Sequence, residues 1–422
     1  MKLQRIFAAA AALLLTAGFV HAQPAARPQA RNYQFKTLKE IPVTSVKDQN
    51  RSGTCWCFSA LSFLESEVIK AKNLTDSTKY PDFSEMYIVR NAYHDRAIKY
   101  VRLNGHLGFS AGSGFGDVLE VIRTYGLEPQ SAFSGMNYGT ELPVQGELDA
   151  ALKGYVDGIV KNPNKTLTPN WIKGFDGIMD AYLGDIPATF TEGGVTYTPA
   201  SYRDAMGINP DDYVNISSFT HHPFYTQFVI EVEDNWRWST AWNLPLDEMM
   251  QVIYNAIDNG YTVAWGGDVS EPGFTRDGLG VLLRSKKSAT TGSDKERWVG
   301  AGSAEASGDS KIPAEEEVSQ DSRQAGYDNK QTTDDHGMHI YGLAEDQNGT
   351  KYFLVKNSWG NAGKYKGTWY MSDAFIRAKT LNIVVNKNAL PKAQLASSNA
   401  EYRPAIVSGL ACSIPIMALT IA

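Results

Sequence analysis

Cys55 and His336 are the residues from which a chemistry can be built. A thiolate is a nucleophile, and an imidazole can accept the proton that a thiol must lose. Cys55 follows a polar, turn-rich stretch at 47–54 and opens an apolar pattern of Trp56, Phe58, Ala60, Leu61, Phe63, Leu64, Val68 and Ile69. Spacings of three and four predict an amphipathic helix, with Thr54 placed to cap it and Cys55 in its first turn. The positive end of a helix dipole favours a thiolate, so the Cys55 pKa is expected to fall. Cys57 lies about 200° further round such a helix and is expected to face packing.

Thiolate chemistry needs a base, and the base needs an orienting partner. Of seven histidines, His336 and His339 open an alternating, strand-like stretch. Asp346-Gln347-Asn348-Gly349 then turns the chain, Asn-Gly being a strong hairpin signal, and 351–356 returns to Asn357-Ser358-Trp359-Gly360. A hairpin of this kind sets the start of its first strand beside the end of its second. His336 and Asn357 are therefore expected as neighbours, with the Asn357 carboxamide fixing the imidazole and Trp359 shielding that bond. His339, three residues on, belongs to the opposite strand face.

These segments resemble the papain superfamily of cysteine peptidases. Gln49 stands six residues before Cys55-Trp56, His336-Gly337-Met338 matches the histidine element, and Asn357-Ser358-Trp359-Gly360 matches the asparagine element. The resemblance implies Cys55, His336 and Asn357 as the catalytic residues, and an oxyanion hole formed by Gln49 and the Cys55 N–H. Ser52 stands where many of these enzymes carry a structural cysteine, and Cys57 where alanine is usual. His336 lies 281 residues after Cys55, against about 130–150 in papain-type enzymes. That excess matches the branch of bleomycin hydrolase and aminopeptidase C, which 41–392 resembles. Phe83-Ser84-Glu85 fits that branch. Gly112-Ser113-Gly114-Phe115-Gly116-Asp117 resembles its glycine-rich substrate strip, making Gly114 and Ser113 candidate substrate-binding residues. A buried strand at 261–268 resembles a wall of the papain-like pocket, which adds Ala264 and Trp265.

The elements that must position these groups divide as follows. A helical lobe is expected over 41–130, an inserted region over 131–245, and a β-rich lobe over 246–392 that includes a polar, exposed loop at 284–331. The insertion carries helical character at 146–183 and an aromatic-rich stretch at 213–245, and 246–259 reads as an amphipathic helix. The His221-His222 pair lacks an acid or cysteine at a recognisable ligand spacing and is read as packing, so no metal is assigned. A short extension at 23–40 follows 1–22, which reads as a signal peptide: Lys2 and Arg5, an apolar run from Ile6 to Val20, and small residues at Val20 and Ala22. Export to the periplasm or medium is the expectation. The eighteen residues before Ile41 are too few for the helical pro-domain of secreted papains. Three cysteines cannot all pair, which excludes a disulfide scaffold and leaves at least one thiol free or bridged to another chain. The tail at 393–422, with Cys412 and Pro415, differs from the C-terminal arm by which the resembled branch restricts cleavage to free amino termini.

The fold expected is α+β, papain-like and two-lobed with a large insertion. The activity expected is thiol-dependent peptide hydrolysis through a thioester, as an aminopeptidase; an endopeptidase and a catalytically silent peptide-binding homologue are the alternatives. No cofactor is required. The formal charge of −6 becomes −8 without 1–22, which disfavours nucleic acid as a partner. A peptide is the expected partner, with no stable membrane insertion. A homo-oligomer is implied by the resemblance alone.

Overall fold

The computed structural model describes residues 32–284 and 312–391. The expected signal peptide, most of 284–311 and the tail with Cys412 lie outside the described residues. The helices are α1 (Cys55–Ala71), α2 (Glu85–Arg102), α3 (Phe115–Tyr125), α4 (Gly146–Val160), α5 (Asn170–Leu183), α6 (Pro199–Met206), α7 (Leu246–Asp258), α8 (Gln320–Asp328) and α9 (Asp373–Lys379). The strands are β1 (Lys36–Glu40), β2 (Phe190–Glu192), β3 (Val195–Tyr197), β4 (Tyr213–Ser217), β5 (Gln227–Val229), β6 (Thr240–Asn243), β7 (Val263–Gly267), β8 (Phe274–Thr275), β9 (Leu279–Gly280), β10 (His336–Glu345), β11 (Lys351–Lys356), β12 (Thr368–Ser372) and β13 (Thr380–Asn386). Apart from the β2–β3 hairpin, they form one mixed sheet in the order β5-β6-β4-β13-β7-β10-β11-β12-β9-β8, with β1 on β10.

Strand alternation shows how the sheet divides the molecule. Val263, Trp265, Ile383 and Val385 belong to a core shared with α7 and α9, while Ala264 and Val384 face a second core built from α1 to α6. A period of two in the sequence thus assigns alternate side chains to opposite layers. The mixed architecture with a helical region is the expected one. The inserted region is no separate body, because α4, α5 and α6 extend the helical core and β4 to β6 extend the sheet.

The polar stretch before His336 differs from expectation. It holds α8, whose Arg323 is 2% exposed. Its guanidinium donates to the backbone carbonyls of Ser218 at 2.8 Å, Arg377 at 2.9 Å and Thr380. Polar composition hid this helix, since Arg323 is buried through bonds to strand and helix ends rather than through apolar periodicity.

α1 lies against β10 closely enough that small residues are required. A Cβ on Gly337 would come 2.7 Å from Ser59 Oγ and 3.2 Å from Trp56 Cα. Beneath this contact runs a polar network. Lys356 donates to Thr44 Oγ1 at 2.9 Å and to Ser62 Oγ at 2.8 Å, and Ser62 bonds His339 Nδ1 at 2.9 Å. Lys47 pairs with Asp82 at 2.6 Å and Glu85 at 2.7 Å. Buried charges are stable only when paired in this way. No helix among the described residues is long and apolar enough to cross a membrane.

Gly267 pairs with His336 in register, and a Cβ there would lie 2.2 Å from the Lys379 carbonyl oxygen. The Lys379 backbone and the buried Trp265 ring, 2.5 Å away, prevent relaxation, so Gly267→Ala is expected to destabilise the protein by about 2 kcal/mol or more. Urea denaturation monitored by tryptophan fluorescence checks this; an unchanged midpoint contradicts the packing described.

Candidate active site

α1 begins at Cys55 because the 47–54 segment is held in place by other parts of the chain. Thr54 occupies the N-cap position, but its hydroxyl bonds Ser52 Oγ at 2.6 Å, and no side-chain bond caps the helix. The Thr54 carbonyl instead receives the Cys57 N–H at 2.9 Å. Gln49 N–H donates to the Ser358 carbonyl at 2.8 Å and Gly360 N–H to the Lys47 carbonyl at 3.0 Å, around an antiparallel bridge of Asp48 with Trp359. The nucleophile segment is therefore bonded directly to the Asn-Ser-Trp-Gly segment, although some 300 residues separate them.

The side chains converge on a cavity of about 600 Å³, lined among others by Gln49, Cys55, Gly114, His336 and Trp359. His336 Nε2 and Asn357 Oδ1 are 2.8 Å apart. Asn357 Oδ1 also accepts the Ser358 N–H at 2.7 Å, which fixes the carboxamide with its oxygen toward the imidazole. His336 Nε2 thus carries a proton and donates, leaving Nδ1 as the ring's acceptor. The Trp359 ring lies 4.9 Å from the His336 ring, centroid to centroid, and Asn357 is 3% exposed. Gln49 is oriented as firmly: Oε1 accepts from Ser358 Oγ at 2.6 Å and Nε2 donates to the Ser52 carbonyl at 2.8 Å. One Nε2 hydrogen is left for another acceptor.

The electrostatics depart from the expectation for Cys55. Burial pushes its thiol up to about 12, against the Gly337 and Trp56 N–H groups that pull it down, and the Asp334 and Asp234 carboxylates add to the rise. Desolvation is the largest of these effects. Burial likewise pulls His336 down to about 4, opposed by its bond to Asn357. Each group resists charge alone; two opposite charges formed together would offset each other's cost. Cys57 is fully buried with Sγ 3.4 Å from the Glu85 carbonyl oxygen, a packing role as expected. His339 is fully buried against α1, on the other face of β10 from Met338 and Ile340.

Other expected substrate residues fare differently. Ala264 and Trp265 do not line the cavity; they are 1% and 0% exposed, and Trp265 Nε1 donates to Thr380 Oγ1 at 2.7 Å. Central position in the sheet covers β7 on both faces, and Gly266 reaches the cavity instead. Gly114 and Ser113 do line it. Ser113 Oγ, however, donates to Asp117 and accepts from Trp236 Nε1 at 2.8 Å, while Gly114 N–H donates to Asp117 at 3.1 Å. Among the lining residues not anticipated are Glu233, Asp234, Asp334 and Asn382. Only the loop between β5 and β6 brings the first two to the cleft, and no periodicity announces that.

The His221-His222 pair does have an acid beside it. Their Nε2 atoms lie 2.9 and 3.0 Å from the Glu231 carboxylate, which β5 brings back nine and ten residues later. Gln324 accepts the Thr220 N–H and donates to His221 Nδ1 at 3.0 Å, so His221 Nε2 carries a proton toward Glu231. A protonated Nε2 is a hydrogen-bond donor rather than a metal ligand, and the cluster ties the 218–231 segment to α8.

Comparison with known proteins agrees with this architecture. The model of the papain family of cysteine proteases matches residues 30–93, and that of the peptidase C1-like family matches 315–407. Aminopeptidase G of Lactobacillus delbrueckii subsp. lactis is 22% identical over 409 residues, covering 86% of each chain. Aminopeptidase C of Lactobacillus helveticus is 23% identical over 400 residues, covering 84% of this chain and 82% of that one. The crystal structure of PepW from Lactobacillus rhamnosis HN001 superposes with a TM-score of 0.62 at 18% identity, over 89% of this chain and 85% of that one, and shares the fold. The two matched segments carry the thiol and the imidazole, and together with the fold they define the class, a cysteine peptidase. By sequence the chain is similar to family C1 of the papain superfamily at those two segments, and the relatives that it matches over most of its length are bacterial aminopeptidases.

Removing the Asn357 side chain leaves His336 Nε2–H without its partner and frees the ring to turn. Asn357→Ala is expected to lower kcat/KM for peptide hydrolysis by about 10–100-fold, the usual cost of a misplaced catalytic group. An unchanged kcat/KM would mean that something else orients the imidazole.

Proposed function

We propose that this thiol-dependent peptidase is an aminopeptidase that works through Cys55, His336 and Asn357. The observation that carries the reading is the convergence of Cys55, His336 and Gln49 on one cavity, with His336 Nδ1 left as the acceptor by the bond of Nε2 to Asn357. His336 takes the Cys55 proton as Sγ attacks the peptide carbonyl carbon. The developing oxyanion is met by the Cys55 N–H and the remaining Nε2 hydrogen of Gln49, whose amide Ser358 and Ser52 hold in place. His336 then gives its proton to the leaving amine, and a thioester to Cys55 remains. Water, deprotonated by His336, cleaves the thioester and restores the thiol. Restriction to chain ends is supported by the aminopeptidase relatives.

Cys55→Ala is expected to abolish hydrolysis of unblocked peptides, a fall of at least about 10³-fold. Wild-type protein should release amino-terminal residues stepwise and leave N-acetylated peptides of the same sequence largely intact, as read by mass spectrometry of the products. Hydrolysis that survives Cys55→Ala refutes the mechanism. Equal rates on blocked and unblocked peptides refute the aminopeptidase reading and favour an endopeptidase.

A further inference from the structure

The connection between β5 and β6 leaves the sheet that holds its two ends. β5 and β6 pair in register as far as Val229 and Thr240, and the ten residues between them, 230–239, cross to the helical core of α1 to α6. The root is packed on the sheet, where Phe228, Ile230, Ala241 and Leu381 share one core. The tip is bonded to α2, α3 and the glycine strip. Arg237 pairs with Asp117 of α3 at 2.6 Å and with Asp95 of α2 at 2.9 Å. Its carbonyl accepts from Lys99 Nζ at 3.1 Å, and Trp236 Nε1 donates to Ser113 Oγ at 2.8 Å. Asn235 ties the two legs together: Nδ2 donates to the Ile230 and Ser239 carbonyls, both at 3.0 Å, and Oδ1 accepts the Ser239 N–H at 2.9 Å.

This loop covers the glycine strip except at one place. A Cβ on Gly112 would overlap Asp234 Oδ2, and one on Gly116 would lie 2.6 Å from Ser239 Oγ. The missing side chains of these two glycines make the space that the loop fills. A Cβ on Gly114, between them, would meet nothing within 4 Å beyond its chain neighbours, and Gly114 lines the cavity. Its N–H already donates to Asp117 at 3.1 Å, and its carbonyl accepts the Asp117 N–H at 3.0 Å. Main-chain bonding of a long extended peptide needs a row of free backbone groups, and the Gly114 donor is taken. Val232, Asn235 and Ser239 of the loop line the same cavity as Cys55. The cleft is thus bounded at the strip by a segment fixed both to the sheet and to the helices. Among the described residues no hydrogen bond joins the loop to Gln49, His336 or Trp359.

We infer that the 230–239 loop is a strap that closes the cleft at the glycine strip and sets how many substrate residues fit between the scissile bond and that end, with Trp236 and Arg237 as its positioning residues. A peptide that ends there is accommodated by the cavity, whereas one that continues meets backbone held from both sides. Displacing the strap would take the Arg237 guanidinium from Asp117, which is 1% exposed, and leave a buried carboxylate without its cation. The loop therefore acts as a fixed wall rather than a mobile cover. The inference deepens the proposed function: it rests on Cys55 as the nucleophile, and on the aminopeptidase reading for which end of the peptide the strap meets. It gives the preference for chain ends a cause in this chain's own residues.

Val229 and Thr240 face each other in register, so Asn-Gly in place of 230–239 removes the strap and closes the β5–β6 hairpin with a two-residue turn. Arg237→Gln in the otherwise intact chain loosens the tip and keeps the root, and it decides the matter if the shortened chain does not fold. Both are compared with wild type by initial kcat/KM for cleavage at one Ala–Phe bond, read by mass spectrometry. One series of alanine peptides is lengthened on the amino side of that bond and a second on its carboxyl side. Wild type is expected to lose about tenfold or more once the amino side passes a set length; the shortened chain should recover most of that loss and Arg237→Gln at least about threefold of it. The readout is the ratio of long to short peptides, which a merely damaged fold does not raise. A length limit that neither variant relieves overturns the inference and leaves the aminopeptidase reading standing. A limit on the carboxyl side that the variants relieve supports the strap and refutes the aminopeptidase reading. Rates that ignore length on both sides overturn the strap.

Discussion

The structure depends on the bonding of 47–49 to 358–360. Two backbone hydrogen bonds and the Ser358 to Gln49 side-chain bond join the loop before α1 to the end of β11. α1 is held on β10 by packing, and these bonds add the register between the loop that precedes Cys55 and the segment that follows β11. At that end Asn357, Ser358 and Trp359 orient the imidazole, hold the Gln49 amide and cover the bond between His336 and Asn357. One short segment therefore sets the positions of groups that lie hundreds of residues apart.

Burial has two consequences at this site. It excludes water from the His336–Asn357 bond, which strengthens its hold on the ring. It also makes charge on Cys55 or His336 alone unfavourable. On the proposed mechanism the reactive state is a pair of charges made together, and anything that changes the field around the pair changes its population. The Asp234 and Asp334 carboxylates contribute to that field and raise the Cys55 thiol further.

Much of this was legible in the sequence, and the reasons for what was not are physical. The helix after Cys55 and the hairpin between His336 and Asn357 follow from local periodicity and one turn, so their mutual placement could be read directly. The joining of the inserted region to both cores is a matter of tertiary packing, which spacing does not record. Ala264 and Trp265 were misplaced because a buried strand reads alike whether it walls a pocket or crosses the middle of a sheet. α8 was hidden by its polar composition. Glu231, Glu233 and Asp234 reach their neighbours only through the chain reversal around β5 and β6, and an acid in a loop carries no signal of what it will face.

The most direct test of the central claim, that Cys55 is a nucleophile activated by His336 within this bonded frame, is the site-resolved rate of alkylation by iodoacetamide. Peptide mass mapping of the native protein reads it at each cysteine, in the wild type and in His336→Gln. The account predicts modification at Cys55 well before Cys57, and a fall of about tenfold or more in the Cys55 rate when the base is removed, since the thiolate is the reacting form. Equal modification of Cys55 and Cys57, or a Cys55 rate indifferent to His336, would contradict it.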